Sequence, residues 1–86
     1  MNSFLLKVSS PDGDLFSDKV MMLSLRGTEG SLAIMAGHVP FVTSVVPCEC
    51  KIVLDDGDER LAECDGGLLT VSHNGASLLS GSFRWK

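Results

Sequence analysis

An all-β sandwich is the fold class this sequence predicts, and three observations carry it. Nine glycines and three prolines punctuate 86 residues, and the longest stretch free of both, Asp14 to Arg26, is thirteen residues. Proline breaks helices and glycine weakens them, so a long helix has almost nowhere to sit. Between these breaks, short segments carry apolar residues at every second position, the period of a strand. Finally, 44% of the residues are hydrophobic and the mean hydropathy is +0.24, enough for one small core and too much for a disordered chain. No linker, low-complexity tract or internal repeat divides the chain, so residues 1–86 are read as one domain.

The elements follow in order. Phe4, Leu6 and Val8 share one face of a first strand, with Lys7 and Ser9 on the other. Ser10-Pro11-Asp12-Gly13 is a turn, because proline presets φ and glycine tolerates positive φ. Leu15-Phe16 resumes the chain. Val20 to Leu25 is a strand expected to turn Met21, Leu23 and Leu25 to one side, and Gly27-Thr28-Glu29-Gly30 reverses it. Farther on, Cys48, Cys50, Ile52 and Leu54 alternate with Glu49, Lys51 and Asp55, and the acidic run Asp55 to Glu59 turns the chain back. With Gly57 at the centre of that hairpin, Ile52 would face Ala62 and Cys50 would face Cys64. Gly66-Gly67 opens a strand over Leu68 to Val71. Asn74-Gly75 predicts a type I′ turn folding Ala76–Ser80 onto Leu69–His73. The tail Phe83 to Lys86 is expected to be too short for another element of any size.

Charge and composition exclude several functions. Seven basic residues stand against eleven acidic ones, a formal net charge of −4. A nucleic-acid binder needs a basic face to displace counterions, and so does a protein adhering to anionic lipid. No stretch approaches the roughly 18–20 apolar residues of a membrane span. Met1 to Lys7 lacks the basic start and apolar run of a signal peptide, and on these grounds the chain reads as cytosolic. Three cysteines in a reducing compartment argue against a disulfide framework.

Reactive chemistry is sparse. Cys48-x-Cys50 with Cys64, His38 and His73 could supply metal ligands, but the spacing matches no standard zinc pattern, and small buried thiols pack well as hairpin neighbours. A cysteine–histidine nucleophile would need an orienting group and an oxyanion site that no motif provides. The acidic turn lacks the ligand order of a calcium loop. Gly27-x-x-Gly30 and Gly66-Gly67 are followed neither by a helix nor by Lys-Ser/Thr, so they read as turns and bulges, not as phosphate cradles. Binding is what is left. The apolar runs Leu32-Ala33-Ile34-Met35-Ala36 and Val39-Pro40-Phe41-Val42 exceed what one small core obviously needs, and Met35 suits an adaptable interface.

The segment Gly27-Thr28-Glu29-Gly30-Ser31-Leu32-Ala33-Ile34-Met35-Ala36-Gly37-His38-Val39-Pro40-Phe41-Val42-Thr43 resembles the signature of the epsilon subunit of F-type ATP synthases: Gly-x-Glu-Gly, an apolar run, Gly-His-x-Pro and a Thr. Ser10-Pro11-Asp12-Gly13 with Phe16 is similar to the family's opening Thr-Pro-x-Gly and Phe, and Gly66-Gly67-Leu68-Leu69-Thr70-Val71 to its Gly-Gly-Phe-x-x-Val. Val46-Pro47 falls where the family has Pro-Gly, with Cys48 replacing that glycine. The ordered match runs from about Phe4 to Leu79.

The resemblance implies a flattened ten-stranded β-sandwich, the epsilon N-terminal domain. It further implies a non-catalytic central-stalk subunit, without a cofactor, that links the gamma subunit to the c-ring and couples ion translocation to ATP synthesis. The expected place is peripheral, on the cytoplasmic face of a bacterial cell membrane, with neither nucleic acid nor inserted lipid as partner. By position, Glu29, Gly30, Ser31 and Leu32 would face the c-ring, and Ser10, His38, Pro40 and Thr43 would dock gamma. Ser31 stands where the family often carries a further acidic residue. Most family members continue into two C-terminal helices that inhibit ATP hydrolysis and in some bind ATP; for the residues at hand the resemblance implies coupling and assembly, and no nucleotide site. Two other readings stay open on the residues alone: an all-β interaction adaptor outside the motor, and a Cys/His metal-binding protein.

Overall fold

A computed structural model describes residues 3–37 and 39–86. These form nine strands and no helix: β1 Phe4–Ser10, β2 Gly13–Gly27, β3 Gly30–Met35, β4 Phe41–Val45, β5 Cys48–Leu54, β6 Glu59–Cys64, β7 Gly67–Ser72, β8 Gly75–Ser80 and β9 Phe83–Trp85. The pairing order is β1-β8-β7-β4-β2-β5-β6-β9, with β3 hanging from β2 and β1 returning to pair β2. Among the described residues only β1–β8 is parallel. One layer is β1-β8-β7-β4; the other is β3 with β2, followed by β5, β6 and β9.

Fifteen-residue β2 joins the layers. Its first half, Gly13 to Val20, pairs β1, and its second half pairs β3 and β5. Counted as two halves, it brings nine strands to the ten expected. The bend is a register shift between Val20 and Met22, where Met21 is the extra residue. That bulge corrects the inward set: Val20, Leu23 and Leu25 are buried, and Met21 is only half-buried. A second shift, between Val8 and Ser9, displaces Leu15 outward.

Between the layers lies one core, to which Leu6, Val8, Leu23, Ile34, Ile52, Leu69 and Leu78 contribute fully buried side chains. Each such side chain stabilises the fold by roughly 1.5–3 kcal/mol. Phe4, Leu6 and Val8 share the inner face as expected, with Phe4 at its margin.

Three local expectations change. In the β5–β6 hairpin Cys48 faces Cys64, Cys50 faces Ala62 and Ile52 faces Arg60, two residues from the expected register. The Gly57 N–H donates to the Leu54 carbonyl at 2.9 Å and the Leu54 N–H to the Asp58 carbonyl at 2.7 Å. Gly57, at φ 91°, therefore takes the left-handed third position of a three-residue loop, and the hairpin centres on Asp56. In the β7–β8 hairpin Ser72 pairs Gly75, so His73 and Asn74 form the tip; neither has positive φ, which excludes type I′. Gly75 belongs to the strand, because a Cβ there would collide with the Leu5 carbonyl of parallel β1. Lastly, the tail does form an element. β9 pairs β6, and Trp85 packs edge-on against Phe16 and Phe83 with ring centroids 5.5 and 5.3 Å away. Arg60 lies over the same indole.

Candidate docking surfaces

The β2–β3 hairpin presents the first surface. Gly27 pairs Gly30, leaving Thr28-Glu29 as a two-residue exposed tip. The Thr28 N–H donates to the Ser44 carbonyl at 3.2 Å and Gly27 pairs Val45, so β4 braces the tip from below. Glu29, Gly30 and Ser31 are exposed, with Ser31 opposite Arg26. Leu32 differs: it is half-buried against the core opposite Leu25, and anchors the loop.

The residues expected to dock gamma are spread more widely. Ser10 is half-buried in the β1–β2 turn, where its hydroxyl accepts the Asp12 N–H at 3.2 Å. Pro40 is exposed just ahead of β4. Thr43 is half-buried, and its hydroxyl sits close to Gly27 beneath the tip, 3.4 Å from where a Cβ would stand. By register, Ser10 lies at the Val45 end of the β1-β8-β7-β4 layer and Pro40 at the opposite end. His38 lies outside the described residues.

The outer faces of the two layers differ in chemistry. On β1-β8-β7-β4 the outward positions include Leu5, Leu79, Leu68 and Val42, with Lys7 the charged group among the strand residues pointing out. Leu68 stands directly opposite Leu79. On β5-β6-β9 the outward positions include Val53 and the exposed Leu61 but are mostly charged, and the charges are largely matched. Lys51 meets Glu59 at 3.1 Å, Arg84 meets Glu63 at 3.5 Å, and Lys86 meets Glu49 at 2.6 Å and Glu63 at 3.8 Å. The Lys86 ammonium is held above its ordinary pKa by its hydrogen bond to Glu49 and the neighbouring carboxylates. A face whose charges already have partners offers little to a second protein. The nearly uncharged face, with half-exposed leucines, has contacts still to make.

Adjacent leucines were the sequence signal for that face. In Leu5-Leu6, Leu68-Leu69 and Leu78-Leu79 a strand must send one of each pair outward.

The three thiols are free and gather where β5 starts and β6 ends. Cys64 and Cys50 share a hydrogen bond that, together with burial, pushes Cys50 above the ordinary thiol range. The same bond draws Cys64 below it, helped by the Ser80 hydroxyl and opposed by burial. Cys48 is half-buried and turned toward β2: its sulfur accepts the Arg26 N–H at 3.4 Å. Among the described residues no grouping of three Cys, His, Asp or Glu side chains is arranged to hold a metal ion. Ser80, the one buried polar residue among those described, donates to the Gly66 carbonyl at 2.6 Å.

A family model, the β-sandwich domain of the ATP synthase delta/epsilon chain, matches residues 3–86. The chain belongs to that family. Its fold is shared with a chain in the cryo-EM structure of the Euglena gracilis mitochondrial ATP synthase (OSCP/F1/c-ring, rotational state 1), with a TM-score of 0.90 at 18% identity. The match covers 99% of this chain and 54% of that one. A chain in the Tetrahymena thermophila mitochondrial ATP synthase central stalk/c-ring structure matches with a TM-score of 0.74 at 16% identity, over 93% of this chain and 64% of that one. The delta/epsilon-type sandwich here thus spans between half and two thirds of the length of these chains. Both are mitochondrial, whereas the sequence resemblance suggested a bacterial setting.

Proposed function

We propose that this delta/epsilon-type chain is a non-catalytic subunit of the ATP synthase central stalk, bound to gamma on one side and to the c-ring on another. In that role it keeps ion translocation coupled to ATP synthesis, as a peripheral part of a membrane-associated complex. What carries the reading is the division of the surface in a domain of this family. A braced, exposed hairpin tip at Thr28-Glu29 lies at one end, and a sheet face with Leu5, Val42, Leu68 and Leu79, on which Lys7 is the charged group, flanks it.

The geometry suits force transmission. A rotor element must hold two neighbours without yielding, and a close-packed interior resists deformation. The tip offers Glu29, Gly30 and Ser31 to the polar loops of the c-ring, with Leu32 anchoring them. The sheet face offers apolar area to gamma, bordered by Ser10 and Pro40, with Thr43 supporting the tip from within. No bond is made or broken in this domain; catalysis belongs to other subunits.

The test is reconstitution. Purified chain is mixed with purified gamma, then with the detergent-solubilised c-ring. A stoichiometric complex with gamma that in turn captures the ring is expected. A chain that stays monomeric beside gamma overturns the proposal.

A further inference from the structure

We propose that Cys48 and Cys64 form a thiol-modification site, which reacts with a small disulfide such as glutathione disulfide and closes into a Cys48–Cys64 cross-strand bond.

The backbone selects this pair. One step beyond the β5–β6 ladder, the Leu54 N–H donates to the Asp58 carbonyl, which makes that position one of the hydrogen-bonded class. The class alternates residue by residue and the register runs unbroken to Cys48–Cys64, six residues away along β5, so that pair is of the same class. In a pair of this class the Cα atoms stand about 5.5 Å apart. A disulfide spans Cα separations of about 4.4–6.8 Å, most often near 5.5–6 Å. Cys50 sits diagonally from Cys64, where the separation is about 7–8 Å, at or past the limit. Side chains directly opposite on antiparallel strands share a face, so neither backbone must turn. The Cys48 thiol must swing away from its weak contacts with the Arg26 backbone, and the Cys64 thiol from the Gly66 carbonyl and the Ser80 hydroxyl.

Access selects the order of events. Cys48 is half-buried, whereas Cys50 and Cys64 are buried. Cys48 and Cys64 line the same open cleft of about 410 Å³, with Pro47, Ser82, Arg84 and Lys86 among its walls. The Cys48 thiolate attacks one sulfur of glutathione disulfide; that S–S bond breaks, and a glutathione thiolate leaves and takes up the proton Cys48 released. The Cys64 thiolate then attacks the Cys48 sulfur of the mixed disulfide. The Cys48–Cys64 bond forms, and the second glutathione leaves with the proton from Cys64. One reagent disulfide is reduced to two thiols while two cysteine thiols are oxidised to one disulfide. The hydrogen bond from Cys50 that favours ionisation of Cys64 supplies the thiolate for this second step.

The experiment treats the folded 86-residue chain with glutathione disulfide at pH 8 and follows intact mass and disulfide-linked peptides. The wild type is expected to lose about 2 Da, two hydrogens, with the cross-link joining the Cys48 and Cys64 peptides. Cys64→Ser should stop at a mixed disulfide carrying one glutathione on Cys48. Cys48→Ser should not react, and Cys50→Ser should still give the Cys48–Cys64 cross-link but close more slowly than the wild type, because Cys64 loses the neighbour that favours its thiolate. The wild-type cross-link map stands without the variants should one of them fail to fold. A cross-link between Cys50 and Cys64, a wild type that halts at the mixed disulfide, or reaction only after unfolding in guanidinium chloride each overturns the proposal.

Discussion

Leu68 and Leu79 face each other directly across β7 and β8 on the outside of the sandwich, 43% and 50% exposed. A cross-strand apolar pair contributes roughly 0.2–1 kcal/mol to a sheet, so these leucines do little for the fold. Leu79→Glu is therefore expected to cost at most about 1 kcal/mol of stability, seen as a small shift in denaturant midpoint. The same change should weaken association with gamma at least tenfold in a titration, about 1.4 kcal/mol. Unaltered gamma binding would exclude this face as the contact.

At the hairpin tip the two roles separate by residue. Glu29→Lys, on an exposed turn, should change stability by less than about 0.5 kcal/mol and reduce capture of the c-ring. Leu32→Ala, half-buried against the core, should instead destabilise by roughly 1–2 kcal/mol. Thermal melts paired with ring-binding assays distinguish them; an unfolded Glu29→Lys chain would make Glu29 structural.

Gly67→Ala should prevent folding or cost more than about 3 kcal/mol. The residue holds φ 152°, and a Cβ there would collide with the Leu79 carbonyl oxygen, which β8 fixes in place. Circular dichroism of the variant checks this, with Gly81→Ala as the control, since a Cβ at Gly81 meets open space. Equal stability of the two variants would contradict the packing described.

A pH dependence follows from the thiol pair. The hydrogen bond from Cys50 holds Cys64 below the ordinary thiol value of 9.0 in the folded chain. Below that ordinary value the unfolded chain binds the extra proton, so stability rises as pH climbs toward 9. Cys50 is shifted the other way, and above the ordinary value its folded thiol keeps a proton that the unfolded one loses, so stability falls again. Urea midpoints measured under reducing conditions from pH 6 to pH 10 should show that maximum, and Cys64→Ser should flatten the rising limb.

The sequence disclosed what depends on periodicity and on local turn chemistry. Phe4, Leu6 and Val8 alternate cleanly, and Gly27-x-x-Gly30 reverses the chain where expected. What it hid depends on partners distant in the chain. Nothing near Met21 announces a bulge, because the bulge arises where one strand leaves β1 for β5. Gly57 marks the β5–β6 hairpin, yet its position within the turn decides the register, and one place of difference moved Cys64 from Cys50 to Cys48. Gly75 is glycine for the sake of Leu5, seventy residues earlier. β9 exists because Trp85 finds Phe16, Phe83 and Arg60. The outward leucines belong to the same class, since only the assembled sheet aligns Leu5, Leu68 and Leu79 into a surface.

One uninterrupted length of polypeptide, Gly13 to Gly27, is shared by both halves of the sandwich. Sliding one half past the other must therefore stretch covalent backbone as well as break a ladder of hydrogen bonds. A twist applied at Thr28-Glu29 enters that strand directly and reaches β1 without crossing a loop, so little of the motion is lost to hinge-like give along the way.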